Sequence, residues 1–289
     1  MKNIVTEQNK MIFLGLVFTL TLGISGGYFT FLITSIWAID KGMAVWGFFQ
    51  YPNTYAIFML VCMITAFHQI DWKHLDWFLV VHVIAGIAGI YLSGSRTVFI
   101  ILALYLFFLI FQKKESRKIM LIGVGAGGIG ILALALLGIG AELLERFGNI
   151  SFGASTLLGR FLYYIDALPV ILKHPFGLGY YGYYSIQQEI QTGVYSVLNV
   201  HNELLQFMLD IGIIPTLLFY GYVGKIIFDK RTSNRDRQIL LVLFAHSLLD
   251  YDFQFLAMMF VVVLFLPSGN SREYVISSKM KIVGIVLSI

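Results

Sequence analysis

The chain has 289 residues, of which 58% are hydrophobic and 12% are charged, whereas about 25% of the residues of an average soluble domain are charged. This composition excludes an ordinary soluble domain and a disordered chain. The net charge of +4 comes from basic residues in short loops between apolar runs, so it indicates no nucleic-acid partner. The single cysteine, Cys62, can build neither a disulfide framework nor a thiolate metal site. The sequence therefore predicts a polytopic membrane protein.

Long apolar runs predict the membrane spans, because a helix needs roughly 20 apolar residues to cross the hydrocarbon of a bilayer. We expect an all-α, transmembrane helical bundle of about 7–8 spans that forms one integral-membrane domain over residues 1–289. The predicted spans are residues 11–37, 53–67, 77–92, 97–111, 119–141, 204–228 and 239–266, with an eighth beginning at Lys281.

Two basic loops predict the orientation, because cytoplasmic loops are enriched in Lys and Arg. Residues 112–118 and the segment after the sixth run, residues 229–238, each carry four basic side chains. With both on the cytoplasmic side, the N-terminus lies inside and the long segment 142–203 lies outside. We therefore expect an extracytoplasmic active face on a multi-pass protein of the bacterial plasma membrane.

The outer loop, residues 142–203, is the largest non-spanning region, and loops of that length are usually functional. Residues 156–172 are helix-like, and Pro175 and the following glycines end that helix. Five tyrosines follow, among them Tyr180. They indicate either an aromatic belt at the bilayer interface or a surface that stacks on sugars.

Two arginines and a histidine are predicted to lie on the outer side. Arg96 follows two serines and a glycine between two apolar runs, where an arginine either extends toward the membrane surface or binds a phosphate with both arms. Arg160 lies on the helix-like part of the loop, and His201 ends the loop together with Asn202. A neutral imidazole near two arginines is either a polar interface residue or a general base.

A pair of acids interrupts the last long run. Asp250 and Asp252 lie 11 to 13 residues into the apolar run 239–266, with His246 one helical turn earlier. Their pattern is that of the acidic pair which holds a metal in nucleotide-sugar transferases, but the surroundings are apolar, and Mg²⁺ needs several oxygen ligands and water. We expect a structural role, either a break in the helix or packing against a polar group of another helix, with no metal and no cofactor. His246 is the nearest partner in sequence.

The order of motifs on the outer side resembles the bacterial O-antigen ligase and polysaccharide polymerase superfamily. The resemblance depends on residues 47–53, 93–97, 159–161 and 175–179, and on the His201-Asn202 pair followed, after nine residues, by Gly212. It runs from about residue 47 to residue 266. Pro215 departs from the family pattern at the end of this motif. The helices that normally precede residue 47 are largely missing, so we expect either a shorter variant or a truncated chain.

The resemblance implies an integral-membrane glycosyltransferase of the GT-C kind. Such a protein transfers a glycan from undecaprenyl pyrophosphate to an acceptor in cell-surface polysaccharide assembly, without a nucleotide sugar. Arg96 and Arg160 match the family's arginines and would offset pyrophosphate charge, while His201 would activate or orient the acceptor hydroxyl. Asn202, Asn53 and Tyr180 are the expected substrate-binding residues. Expected partners are the lipid-linked glycan, membrane lipid and other polysaccharide-assembly membrane proteins.

Two other functions are compatible with the sequence. A transporter or flippase for a lipid-linked glycan would also need outer arginines, although the internal repeats typical of carriers are not visible in the sequence. An inactive fragment that packs with a partner membrane protein is the third possibility.

Overall fold

The computed structural model describes residues 51–69, 77–112 and 155–266, together with Phe49, Arg117 and Gly125. Apart from Gly125, the predicted spans 11–37 and 119–141 and the eighth helix lie outside these residues. Throughout the described part of the chain, all regular structure is helical, which agrees with the predicted all-α class. Within the same part, no helix is at once long and apolar enough to cross a membrane.

The described helices follow one another with short connections. In chain order they are α1 (Pro52–Gln69), α2 (Trp77–Ser93), α3 (Arg96–Gln112), α4 (Ser155–Lys173), α5 (Gly182–Ile190), α6 (Glu203–Ile211), α7 (Ile213–Phe228), α8 (Asn234–Ser247), a 3-10 turn (Asp252–Gln254) and α9 (Leu256–Phe265). The predicted helices at 53–67, 77–92, 97–111 and 156–172 are confirmed as α1, α2, α3 and α4, each to within about two residues.

Two apolar runs predicted as single helices are broken, and these predictions are wrong. The run 204–228 changes direction at Gly212, whose φ of 94° and ψ of 170° separate α6 from α7. The run 239–266 is interrupted after Ser247 and resumes at Leu256. Apolar content alone therefore does not reveal where the backbone leaves the helix.

The second break turns the run into a helical hairpin. The guanidinium carbon of Arg235, near the start of α8, lies 5.7 Å from the ring centroid of Phe265, at the end of α9. The chain therefore returns to the level at which α8 began, and the segment that contains Asp250 and Asp252 forms the tip. The 14 residues of α8 place this tip about 21 Å from the helix start.

Helix α1 is the centre of the bundle. All of its residues from Thr54 to Phe67 are buried, so the helix is enclosed on every side. This is the expected position of a helix that is apolar all round. Helix α2 packs closely against it through Gly86 and Gly89, where an added Cβ would lie 2.7 Å from Met63 and 2.6 Å from Met59. Small residues at such positions let two helix backbones approach each other.

Hydrogen bonds at both ends fix α1 against α8. At one end His68 Nε2 lies 2.8 Å from Gln238 Oε1, and that oxygen also accepts from Tyr105 of α3. At the other end Thr54 donates to Asp252 at the hairpin tip, at 2.9 Å. The end of α1 is therefore bonded to the start of α8, and the start of α1 is bonded to the tip of the hairpin.

Gly212 and Gly177 form a close backbone junction between the outer loop and the α6–α7 break. The N–H of Ile213 donates to the carbonyl of Pro175 at 2.9 Å, and the N–H of Gly179 donates to the carbonyl of Asp210 at 3.0 Å. A Cβ on Gly212 would lie 2.7 Å from the carbonyl oxygen of Pro175, and one on Gly177 would lie 2.6 Å from the carbonyl oxygen of Asp210. The spacing from His201-Asn202 to Gly212 therefore has a structural meaning: it is the length of α6 up to this junction.

The junction predicts a large effect of substitution at Gly212. Gly212→Ala forces a side chain into a positive-φ position against backbone, so we expect the free energy of unfolding to fall by roughly 2–3 kcal/mol. The melting temperature of the detergent-purified protein measures this. Gly224→Ala in α7 is the matched control, because an added Cβ there meets nothing within 4 Å. Equal melting temperatures for the two variants would contradict the junction.

Candidate active site

The carboxylate of Asp250 is the centre of the candidate site. It lies at the tip of the α8–α9 hairpin and is fully buried. Its own segment provides one donor, the backbone N–H of Tyr251, which lies 3.0 Å from Oδ1. The remaining donors come from residues about 50 to 200 positions away in sequence.

Two of these donors come from the start of α1. The hydroxyl of Tyr51 donates to Asp250 Oδ1 at 2.8 Å, and the amide of Asn53 donates to Oδ2 at 2.6 Å. The same Asn53 amide contacts the Tyr51 hydroxyl at 3.0 Å. Burial, followed by the charge of Asp250, raises the pKa of Tyr51 far above its usual range, so its hydroxyl remains a neutral donor.

The other two donors come from the outer loop. Arg160 on α4 places one terminal nitrogen 3.2 Å from Asp250 Oδ2 and donates from the other to the carbonyl of Leu249 at 2.7 Å. His201 Nδ1 lies 3.2 Å from Oδ1. Tyr51, Asn53, Arg160, His201 and Asp250 are called the Asp250 cluster below. A carboxylate with this many donors is stabilised in its charged form.

The backbone around His201 is held in an unusual conformation. His201 has a φ of 51°, in the left-handed region that few residues other than glycine adopt. The hydroxyl of Tyr164 donates to the His201 carbonyl at 2.7 Å. Asn202 then caps α6 by accepting the N–H of Leu205, and its amide donates to the carbonyl of Leu248 at 2.9 Å. Backbone held in a sparsely populated region is common at functional sites.

A second buried layer lies behind Asp250. Asp252 accepts from Thr54 of α1, and its other oxygen contacts Nδ1 of the fully buried His246. Glu203, at the start of α6, accepts the N–H of Phe253 at 3.1 Å and the side-chain amide of Gln254 at 2.8 Å. The partner of His246 is thus Asp252, and Asp250 pairs instead with Arg160 and His201.

The structure brings several of the predicted site residues together around Asp250. Arg160, His201 and Asn53 contact Asp250, and Asn202 binds the neighbouring Leu248. Arg96 is the first residue of α3 and is partly buried, and it is not among the described side chains that bind Asp250. Tyr180 lies on the turn before α5, 68% exposed, with its ring centroid 4.1 Å from that of Tyr181.

Sequence reasoning missed Asp250 and Tyr51 as site residues. The prediction of one continuous helix over residues 239–266 is wrong, because the helix ends at Ser247, and the helix break expected as one role of the two acids is confirmed. Aromatic rings border the site as well: the Tyr51 and Tyr251 rings stack with centroids 4.6 Å apart, and the His201 ring meets the Tyr251 ring at 4.9 Å. Within the described residues, no group of three or more His, Cys, Asp and Glu side chains is arranged to hold a metal ion.

Comparison with known families bears directly on these residues. Residues 81–220 match the family model described as O-antigen ligase. The resemblance to the O-antigen ligase superfamily is confirmed. The match supports ligase-type or polymerase-type glycosyl transfer in polysaccharide assembly, and members of the family are integral proteins of the bacterial inner membrane. No curated protein and no solved structure matches the chain.

The matched segment covers slightly less than half of the 289-residue chain and contains Arg96, Arg160 and His201. Tyr51, Asn53 and Asp250 lie outside it. The fold therefore joins residues of the matched segment to residues before and after it in one cluster.

The two acids at the hairpin tip predict different effects of the same substitution. Asp250→Asn removes the charge that orients His201 and Arg160, so turnover per folded molecule should fall by at least about 10²-fold. Asp252→Asn weakens the buried pair with His246 and should lower the free energy of unfolding by about 1–3 kcal/mol, with little change in turnover. Transfer rates and melting temperatures of the two purified variants measure this. A wild-type rate for Asp250→Asn would argue against the cluster as the active site.

Proposed function

We propose that the chain is a membrane glycosyltransferase of the O-antigen ligase or polymerase type. It transfers a glycan from undecaprenyl pyrophosphate to an acceptor hydroxyl during cell-surface polysaccharide assembly, on the outer side of the membrane. The single observation that carries this proposal is the contact of Arg160 and His201 with the same buried carboxylate. A cation for the leaving group and a base for the acceptor thus lie at one point.

Exposed apolar faces support placement in a membrane. Helix α3 exposes Leu104, Phe107 and Phe111, each more than 60% accessible, and exposed apolar patches of this kind mark lipid or protein contact. Helices α7 and α9 expose similar rows, including Leu218 and Leu256. With the basic residues of the α7–α8 turn on the cytoplasmic side, the Asp250 cluster lies about 21 Å away, toward the outer leaflet of a bilayer whose hydrocarbon is about 30 Å thick.

His201 has the arrangement of a general base. Its Nδ1–H donates to Asp250, which leaves the lone pair on Nε2. When the acceptor oxygen attacks the anomeric carbon, the bond from that carbon to the pyrophosphate oxygen breaks and the acceptor proton passes to Nε2. The carboxylate of Asp250 then stabilises the imidazolium, as the aspartate does in a hydrolase triad.

Arg160 is suited to the leaving group. The guanidinium uses two of its donors on Leu249 and Asp250, and an arginine has five N–H donors, so three remain for phosphate oxygens. Negative charge grows on the lipid pyrophosphate as the bond breaks, and a fixed guanidinium stabilises it. Arg96 is proposed as a second phosphate contact, with Asn53, Asn202 and Tyr180 on the substrate side.

Substitution of the proposed base tests the mechanism. His201→Ala should lower the rate of glycan transfer from the lipid-linked donor by about 10²- to 10⁴-fold, because it removes proton acceptance in the transition state. His174→Ala is the matched control, since His174 lies exposed on the turn after α4. The assay is elongation of lipid-linked glycan by purified protein. Wild-type turnover by His201→Ala would refute the assignment of His201 as the base.

Cysteine labelling tests the orientation. A cysteine at Ser185, exposed on α5, should react with a membrane-impermeant thiol reagent added to intact spheroplasts. A cysteine at Lys230, exposed in the basic turn after α7, should react only after lysis, because that loop is proposed to be cytoplasmic. Cys62 is buried and gives little background. The reverse labelling pattern would exclude this topology.

A further inference from the structure

The segment that leads to His201 has no regular structure. Residues 191–201, called the strap below, connect α5 to α6. A segment without helical or sheet hydrogen bonds must satisfy its backbone groups in other ways. The strap does so through buried polar side chains on three neighbouring helices.

Asp166 of α4 makes the largest set of these contacts. Its carboxylate accepts the backbone N–H of Thr192 at 2.9 Å, the Thr192 hydroxyl at 2.8 Å and the Tyr195 hydroxyl at 2.7 Å. The Asp166 residue is 4% exposed. Although burial opposes it, these three donors together hold the pKa of Asp166 below its ordinary value, which is the direction expected for a carboxylate bound in its charged form.

Two glutamines hold the rest of the strap. The Gln187 side chain accepts the N–H of Val197 and donates to its carbonyl, both at 3.0 Å. Gln206 of α6 accepts the N–H of Val200 at 3.0 Å. Asp166 therefore fixes the beginning of the strap, and the glutamines fix its middle and its end.

Ring contacts continue from Asp166 to His201. The ring of Tyr195, whose hydroxyl binds Asp166, lies 4.6 Å from the ring of Tyr163, and that ring lies 6.1 Å from the imidazole of His201. The neighbouring Tyr164 binds the His201 carbonyl. Helix α4 thus contacts the start of the strap through Asp166 and its end through the two tyrosines. The same helix carries Arg160, six residues before Asp166.

We propose that Asp166 is a positioning residue for His201: by fixing Thr192 and Tyr195 on α4, it sets the place of the strap and of the imidazole relative to Arg160. The proposal rests on the proposed function for its catalytic consequence. It adds a residue that contacts neither substrate nor Asp250. A misplacement of about 1 Å can cost about 10²-fold in rate, so a remote carboxylate can control turnover in this way.

The mobility of the strap can be measured without an assay of glycan transfer. A nitroxide attached to a cysteine at Ser196, which is exposed, reports the motion of the strap by electron paramagnetic resonance. Asp166→Asn and Tyr195→Phe should both give a spectrum of higher label mobility than the labelled protein that carries neither substitution. Glu189→Gln is the matched control, because it exchanges an exposed carboxylate on α5 for an amide. Unchanged spectra in both strap variants would overturn the proposal.

Kinetics separate positioning from a purely structural role. We expect Tyr195→Phe and Asp166→Asn to lower kcat per folded molecule by about 10- to 10²-fold while KM for the donor stays within about twofold. Loss of folded protein with a wild-type kcat would contradict positioning, as would a mobile strap with a wild-type kcat. A wild-type protein that transfers no glycan would contradict the proposed function instead, and the spectra would still decide whether Asp166 fixes the strap.

Discussion

One buried carboxylate holds the candidate site together. Asp250 accepts hydrogen bonds from the start of α1, from α4 and from the end of the outer loop. A buried charge is tolerated only when it is paired and hydrogen-bonded. The requirement to pair Asp250 therefore constrains the hairpin tip, the first turn of α1 and the outer loop to meet at one place.

The break between α8 and α9 makes this pairing possible. Had the run 239–266 continued as one helix, the acids would lie along its side, away from the outer loop. The chain instead leaves the helix after Ser247, and the backbone carbonyls of Leu248 and Leu249 bind Asn202 and Arg160. Carbonyls released at a helix end need such partners, so the break and the outer loop stabilise each other.

The sequence allowed the continuous helices to be predicted, since the predicted helices at 53–67, 77–92 and 97–111 agree with α1, α2 and α3. It did not reveal the break at Gly212, whereas a break at the two acids of the last run was one of the structural roles expected for them. Hydropathy counts apolar residues over a window, whereas Gly212 ends a helix through one positive φ and a close backbone contact. The acids at 250 and 252 were the visible sign of the second break.

The candidate site was predictable in part. Arg160, His201 and Asn53 were found because they belong to motifs of a recognisable family pattern. Asp250 was not, because its partners Tyr51 and Asn53 are 199 and 197 residues away in sequence, and no local pattern encodes contacts of that range. Asp166 was missed for the same reason, since its donors lie 26 and 29 residues further along the chain.

We propose that His201 and Asp250 act as one unit. A double-mutant cycle in transfer rate tests it most directly, with His201→Ala, Asp250→Asn and the double variant assayed as purified protein. If Asp250 acts mainly by orienting the imidazole, while the carbonyl of Leu249 still holds Arg160, the substitution of Asp250 has little left to remove once the imidazole is gone. The double variant should then be no more than about threefold slower than His201→Ala alone. Rate losses that multiply would show that the two residues act independently and would contradict it.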